Sequence, residues 1–528
     1  MRPQSRTLGG LVDELAAARP DAEAVVSRGE RLSFAAVRDR ADVLARAYLA
    51  VGVRKGDRVA ILLPNRPEWL IAAVAAAKVG AVSVAVSTFS TAREIAWTLE
   101  HAQPRVIVTM EAFRGRRYLD AIRDISRERL PELRAVVTID ERRHDGADAW
   151  EDFLGRAGDV RMTALVAAQA AVSASDLCFI LYTSGSTATP KGVMLAHGGV
   201  IDNGFAIGER QHLTAADRVW LAVPLFWSFG SANALPAILT HGGALVLQES
   251  FEAGEALALL DGERCSVYYG MANMARAILE HPDRPGRALA AMRTGLTIGL
   301  PEDIAMTMEA VNARQLCNVY GATETYGNCA VTDADDPLER RLTTQGLPLP
   351  GMEIRVVEPG SDRPLPADEV GELRVRGCVT PGYYRDPEQT RAAFDADGFF
   401  MTGDLGSIDG DGRIRFRGRL KEMIKTGGIN VAPLEVEGVL LAHPAVKQAY
   451  VVGLSDRGKG EVAAAAVELH AGATATAEAL TAFCRERLAS YKVPARIVFK
   501  KSGEFPLTAT GKVQKPRLRE ELERLCAP

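Results

Sequence analysis

RVAILLPNRPEWLIAAVAAAKVGAVSVAVSTFSTAREIAWTLEHAQPRVIVT, residues 58–109, alternates short apolar runs with longer helix-patterned segments. Residues 59–63, 82–86 and 106–109 are short runs rich in Val, Ile, Leu and Ala, and residues 68–79 and 92–101 lie between them. Continuous apolar runs suit strands buried on both faces, and the intervening helices supply the crossovers that parallel strands require. The stretch therefore predicts a β-α-β-α-β unit of a doubly wound parallel sheet. Residues 69–86 are the most hydrophobic part of the chain, but Lys78 and Gly80 interrupt them. A buried helix followed by a buried strand is expected there, not a membrane span.

Working outward, a second set of apolar runs begins near residues 177–182 and continues through 218–223, 244–248 and 266–269. Between 353 and 419 the pattern changes to short alternating strands, such as 372–376 and 413–417, separated by Gly and Pro. That part reads as an antiparallel, barrel-like subdomain. Beyond it lies a compact mix, with strands expected at 449–452 and 461–469 and a helix at 477–488. The fold class expected is α/β: a large N-terminal domain of two doubly wound subdomains plus a β-barrel-like one, and a small α+β C-terminal domain.

A chain of 528 residues exceeds what one core usually organises. Its hydrophobic share of 47% and charged share of 25% are those of an ordinary globular enzyme. A formal net charge of −4, with arginines spread along the chain, gives no electrostatic case for nucleic acid or acidic lipid. The seven cysteines are scattered without metal-binding spacing and read as reduced thiols of a cytoplasmic protein. The eight histidines form no metal-spaced cluster and read as surface or structural residues. Residues 1–15 lack a basic region followed by a sustained apolar run, so no secretory leader is expected.

The segment Leu181-Tyr182-Thr183-Ser184-Gly185-Ser186-Thr187-Ala188-Thr189-Pro190-Lys191-Gly192 follows an apolar strand. It gathers backbone donors, short hydroxyls and one cation, the groups that surround a polyphosphate. A Walker loop needs glycine before the lysine and Ser or Thr after it, and Pro190 and Gly192 stand there instead. Further on, Asn318-Val319-Tyr320-Gly321-Ala322-Thr323-Glu324 combines an aromatic face, a glycine, a hydroxyl and a hard carboxylate ligand. Alone each segment has a bland alternative, a solvated Ser/Thr/Gly turn or a strand end; together they point to a nucleotide site.

The first segment resembles the Tyr-Thr-Ser-Gly-Thr-Thr-Gly-x-Pro-Lys-Gly signature of the adenylate-forming superfamily, and the second its Tyr-Gly-x-Thr-Glu motif. That superfamily includes acyl- and aryl-CoA synthetases, peptide-synthetase adenylation domains and beetle luciferases. Here Ser186 replaces a usual Thr and Ala188 a usual Gly, which restricts the loop if a positive φ is required. The resemblance implies that Thr183, Ser184, Gly185, Ser186, Thr187 and Lys191 hold phosphates. By the same token Asn318, Tyr320 and Gly321 border the nucleotide, Thr323 donates to the α-phosphate and Glu324 binds Mg²⁺. Gly299-Leu300-Pro301 partly matches the family's adenine-side Gly-Ala-Pro loop. Thr402-Gly403-Asp404 and Gly418-Arg419-Leu420-Lys421 resemble its Thr-Gly-Asp and Gly-Arg-x-Lys motifs, so Asp404 and Arg419 are expected on the ribose hydroxyls.

Thr508-Ala509-Thr510-Gly511-Lys512 resembles the C-terminal motif whose lysine stabilises the charge that builds at the α-phosphate. In the family the small domain then swivels about the residue that corresponds to Lys421. The loop Lys425-Thr426-Gly427-Gly428 follows, with Lys425 matching a residue of thioester formation and Gly427 and Gly428 leaving room for a pantetheine arm. The resemblance thus divides the chain into an adenylation domain, 1–418, a hinge, 419–421, and a mobile lid, 422–528.

Pro224-Leu225-Phe226-Trp227 looks like the family's Pro-Leu-Phe-His motif, with Trp227 where a histidine is frequent. Phe226, Trp227, Tyr269, Gly270 and Met271 are expected to line an acid pocket suited to an apolar or aromatic acid. No Asp or Glu lies between 220 and 247, which disfavours an amino-acid substrate. The function expected is an ATP-dependent acid:CoA ligase for a fatty or aromatic acid, working through an acyl-adenylate and using ATP, Mg²⁺ and coenzyme A. The alternatives are a stand-alone adenylating enzyme that loads an acyl carrier protein, and a catalytically silent binding relative.

Overall fold

The computed structural model describes residues 2–183, 190–427, 429–501, 503–507 and 513–526, with only the backbone of Asn430. Two compact units divide the chain. Residues 1–299, 303–353 and 375–400 form the first, and residues 300–302, 354–374 and 401–528 the second.

Within the first unit, the predicted β-α-β-α-β stretch folds as strands Arg58–Ile61, Val82–Ala85 and Val106–Thr109 with helices Pro67–Lys78 and Ala92–Ala102 between them. The strands pair in parallel, Val59 opposite both Ser83 and Val106. Both faces of this seven-stranded sheet are covered, as continuous apolar strands require. Ile61, Val106 and Phe179 join one core with helix Pro67–Lys78, whereas Ala60, Val84 and Ile107 join another with Ile95 and Leu99 of the second helix. Helix Ala92–Ala102 begins with a capping box, Thr91 and Glu94 bonding reciprocally. Helix Pro67–Lys78 is buried nearly all round, and its one interior cation, Lys78, pairs with Asp13 and Asp42.

Strand Leu177–Thr183, read from sequence as the start of the second set, belongs to this first sheet: it lies parallel to Val82–Ala85, with Ile180 opposite Val84. Periodicity is a local property and carries no information about which sheet a buried strand enters. The second sheet has nine strands. Arg218–Leu221, Ala244–Leu247, Val267–Tyr269, Thr294–Thr297 and Gln315–Tyr320 are its parallel centre. The N-terminal strands Glu23–Ser27 and Glu30–Ser33 extend it, the first pairing in parallel with Ala244–Leu247.

The alternating pattern between 353 and 419 gives a four-stranded sheet in the order Met352–Val357, Gly371–Gly377, Phe400–Ile408, Ile414–Arg419. In the second unit, Val446–Asp456 and Gly460–Leu469 form a long antiparallel hairpin joined by Ile424–Thr426 and Arg496–Phe499. Helices Pro433–Leu441 and Ala477–Arg485 pack on one face through Val436, Leu440 and Leu480; Lys515–Leu525 packs on the other through Leu518 and Leu522. No helix among the described residues is long and apolar enough to cross a membrane. None of the seven cysteines is in a disulfide.

Candidate active site

Thr183 and Lys191 are register partners on the antiparallel strands Leu177–Thr183 and Lys191–Ala196, so the two ends of the phosphate segment meet at one sheet edge. Ser184, Gly185, Ser186 and Thr187, together with Ala188, lie outside the described residues. Beside strand Lys191–Ala196 runs the segment 380–384: Tyr384 N donates to Gly192 O at 2.8 Å and Met194 N to Gly382 O at 3.1 Å. This pairing sets Tyr383 under Lys191, whose ammonium stands 5.0 Å from the ring centroid. The Tyr383 hydroxyl donates to Glu324 Oε1 at 3.0 Å. Burial first, and then the Glu324 charge, push the Tyr383 phenol far above its ordinary range, so it stays a donor.

Glu324 and Thr323 lie on a short 3-10 turn, Thr323–Thr325, just beyond the end of strand Gln315–Tyr320. Thr380 N holds the turn by donating to Glu324 O at 2.6 Å. The Thr323 hydroxyl donates to Ser228 Oγ at 3.1 Å, which ties the α-phosphate candidate to the acid-pocket motif. Glu324 is half-buried. A single accessible carboxylate suits Mg²⁺, which is held by one or two carboxylates together with phosphate oxygens and water. Glu324 would hold the ion, which would offset charge on the departing pyrophosphate.

Two of the expected nucleotide contacts have structural occupations. Asn318 is 1% exposed, its Nδ2 donating to Thr344 O at 2.9 Å and its Oδ1 accepting from Val319 N at 2.8 Å. A Cβ on Gly321 would meet Gly327 O at 2.4 Å and Asn328 Cα at 2.5 Å, so the chain's own backbone accounts for that glycine. Tyr320 is buried at the strand end. Gly299 opens onto helix Pro301–Val311, a Cβ there meeting Asp303 Cβ at 2.7 Å.

Where the acid pocket is expected, Phe226 and Trp227 stand edge-on at 5.9 Å, and Phe89 meets both, at 5.3 and 6.0 Å. Phe226 is buried, whereas Phe89 and Trp227 are half-buried, so these two rings form the accessible side of the cluster. Tyr269 is 0% exposed, its hydroxyl taken by Gln211 at 2.7 Å, which places it in the core. A Cβ on Gly270 would strike the Tyr268 hydroxyl at 2.3 Å, and Met271 is half-buried. Sequence reasoning missed Phe89, Ser228 and Tyr383. It also missed the partners of the phosphate segment's Tyr182, whose hydroxyl bonds His101 Nδ1 at 2.7 Å. Desolvation, aided by Arg385, lowers the His101 pKa.

In the second unit, Asp404 and Arg419 are cross-strand partners, Arg419 Nε lying 3.2 Å from Asp404 Oδ1. Lys421 is exposed on the 3-10 turn Leu420–Glu422. Lys425 is exposed on strand Ile424–Thr426, its backbone N donating to Glu461 Oε2 at 2.9 Å. Gly427 follows at φ +58°, a value that favours glycine. Gly428 and Lys512 lie outside the described residues. A half-buried cation not foreseen in the sequence, Lys515, sits 2.8 Å from Glu437 and 3.3 Å from Glu422. Desolvation opposes its charge, but Glu437 and Glu422 together raise its pKa.

Two doubly wound sheets that meet at a cluster of hydroxyl, lysine and carboxylate groups suit an enzyme that uses a nucleotide to activate an acid. The chain belongs to the AMP-binding enzyme family: that family's model matches residues 12–384, and the model of the AMP-binding enzyme C-terminal domain matches 435–512. It is 32% identical to the medium-chain acyl-CoA ligase ACSF2, mitochondrial, of Mus musculus, over 98% of this chain and 88% of that protein. Among solved structures it resembles ATP-bound MatB from Rhodopseudomonas palustris, with TM-score 0.86, 28% identity and coverage of 98% and 99%. It is also similar to the anthranilate CoA ligase AuaEII in complex with anthranoyl-AMP, with TM-score 0.86, 25% identity and coverage of 100% and 99%. The chain is an ATP-dependent, AMP-forming acid:CoA ligase, and its substrates are a carboxylic acid, ATP and coenzyme A.

Proposed function

We propose that this ligase activates an apolar, fatty or aromatic, carboxylic acid, with the acid seated against Phe89, Phe226 and Trp227. One observation carries the reading: the Thr323–Ser228 hydrogen bond joins the phosphate-side turn to a pocket motif whose flanking residues, 220–247, contain no Asp or Glu. A substrate ammonium would find no carboxylate there, whereas an alkyl chain or ring gains by leaving water. The medium-chain and anthranilate substrates named for the two relatives are both compatible with such a wall.

In the first half-reaction, a carboxylate oxygen of the acid attacks the α-phosphorus of ATP, and the bond to pyrophosphate breaks. Lys191 and the Thr323 hydroxyl offset phosphate charge during this step, and Lys512 stabilises the charge that builds at the α-phosphate. Asp404 accepts from the ribose hydroxyls. In the second, the CoA sulfur attacks the acyl carbon, AMP leaves, and the thiol proton passes to solvent. Lys512 would block that approach if it stayed, so the lid, 422–528, turns about 419–421 and brings Lys425 and Gly427 to the thiol path. A cytoplasmic location completes the proposal, in keeping with seven cysteines that form no disulfide.

CoA-dependent AMP release from a panel of aliphatic and aromatic acids tests the reading. Apolar acids of medium length, or simple benzoates, should be turned over best. Preferential turnover of dicarboxylates or amino acids would refute it.

A further inference from the structure

We infer that Tyr383 is a positioning residue for adenylate formation, fixing both the metal-binding carboxylate and the phosphate-segment lysine; the inference rests on the proposed metal role of Glu324. Its hydroxyl donates to Glu324 Oε1 at 3.0 Å, and its ring lies under Lys191 at 5.0 Å from the ammonium. One side chain thus touches an anion through its edge and a cation through its face. A tyrosine suits both contacts, because its phenol is a donor and its π face is electronegative.

The geometry has a directional consequence. A carboxylate has two oxygens with about four lone-pair sites. By taking one direction at Oε1, Tyr383 sets the rotation of Glu324, and so the direction in which the remaining sites face. The tyrosine itself is held rigidly: it is 6% exposed, its backbone N accepts no freedom because it donates to Thr390 Oγ1 at 2.9 Å, and Val193 bridges to it across the sheet edge. Glu324 is fixed at its backbone by Thr380, three residues before Tyr383. Segment 380–384 is therefore a brace that connects residues 191 and 324. None of the contacts requires nucleotide to be present.

The test uses Mn²⁺ as the probe, its binding read by electron paramagnetic resonance in the presence of α,β-methylene-ATP. Wild type, Tyr383→Phe, Tyr383→Leu and Glu324→Gln are compared, with thermal melts confirming folding. Glu324→Gln should weaken Mn²⁺ binding most. Tyr383→Phe, which keeps the ring and loses the donor, should weaken it about tenfold. Tyr383→Leu should in addition weaken binding of the nucleotide analogue, since Lys191 loses the ring. Wild-type Mn²⁺ affinity in Tyr383→Phe, with Glu324→Gln impaired, would overturn the role of Tyr383 alone. Wild-type affinity in Glu324→Gln would overturn the metal reading beneath it. If Tyr383→Phe fails to fold, Tyr383→His, which keeps a ring and an N–H donor, should bind Mn²⁺ more tightly than Tyr383→Leu, and equal affinities would overturn the inference.

Discussion

Asp404 and Arg419 face each other on adjacent antiparallel strands, the arginine Nε 3.2 Å from the aspartate Oδ1. Asp404 is nearly buried, whereas the arginine side chain is 52% exposed. A half-exposed pair adds little to folding stability. The role proposed for it is geometric: the arginine restrains the carboxylate that Asp404 would offer to a ribose. Asp404→Asn should raise the KM for ATP in pyrophosphate exchange about tenfold, the loss of a charge-assisted hydrogen bond, with a melting point close to wild type.

The two lysines proposed for the two half-reactions should separate kinetically. Lys512→Ala is expected to abolish ATP–pyrophosphate exchange. Lys425→Ala should leave exchange largely intact and slow thioester formation from supplied acyl-AMP by about two orders of magnitude. Equal damage to both steps in both variants would contradict the division of labour.

His197 makes folding sensitive to acid. Its ring is 0% exposed, Leu8 N donates to its Nδ1 at 3.3 Å, and desolvation lowers its pKa from 6.5 to about 4. The folded value lies below the unfolded one, so the contribution to stability is complete above pH 6.5 and is lost as pH falls towards about 4. Roughly 3–4 kcal/mol is involved at most. Denaturant midpoints of His197→Asn, which keeps an acceptor for Leu8, should fall less steeply than wild type between pH 6.5 and 4.

Lys515 neutralises Glu437, which is 4% exposed and also accepts from Val451 N at 2.7 Å. Replacing it with methionine leaves a buried carboxylate without its counter-charge. Lys515→Met should lower stability by about 3 kcal/mol in urea unfolding. Adding Glu437→Gln should restore part of the loss.

Trp227 stands on the accessible side of the aromatic cluster at the proposed acid pocket. Trp227→Gly should raise kcat/KM for longer acids relative to shorter ones in the CoA-dependent assay. A uniform fall across chain lengths would assign the ring to packing alone.

The parallel strands at 58–109 were legible because strands buried on both faces leave continuous apolar runs, and residues 67–78 advertised a buried helix for the same reason. Sheet membership was not legible. Leu177–Thr183 looks like any buried strand, and only its register with Val82–Ala85 assigns it to the first sheet. Glu23–Ser27 was overlooked because five residues beside a polar neighbour strand give little periodicity. At the candidate site, Thr323, Glu324 and Lys191 are the residues that side-chain chemistry puts forward. Tyr383 is not among them, since 59 residues separate it from Glu324 and only folding joins them. Asn318 and Gly321 have chemistry that suits a nucleotide, but sequence does not reveal that neighbouring backbone already claims them.

The pairing of Glu23–Ser27 with Ala244–Leu247 bears on how this protein tolerates trimming. Without residues 1–33, the fully buried Ala244–Leu247 becomes a terminal strand with unfilled backbone donors and acceptors and an uncovered apolar face. Such an edge is a template for another chain. A shortened form would therefore recruit copies of itself and precipitate before any loss of catalytic groups could be felt.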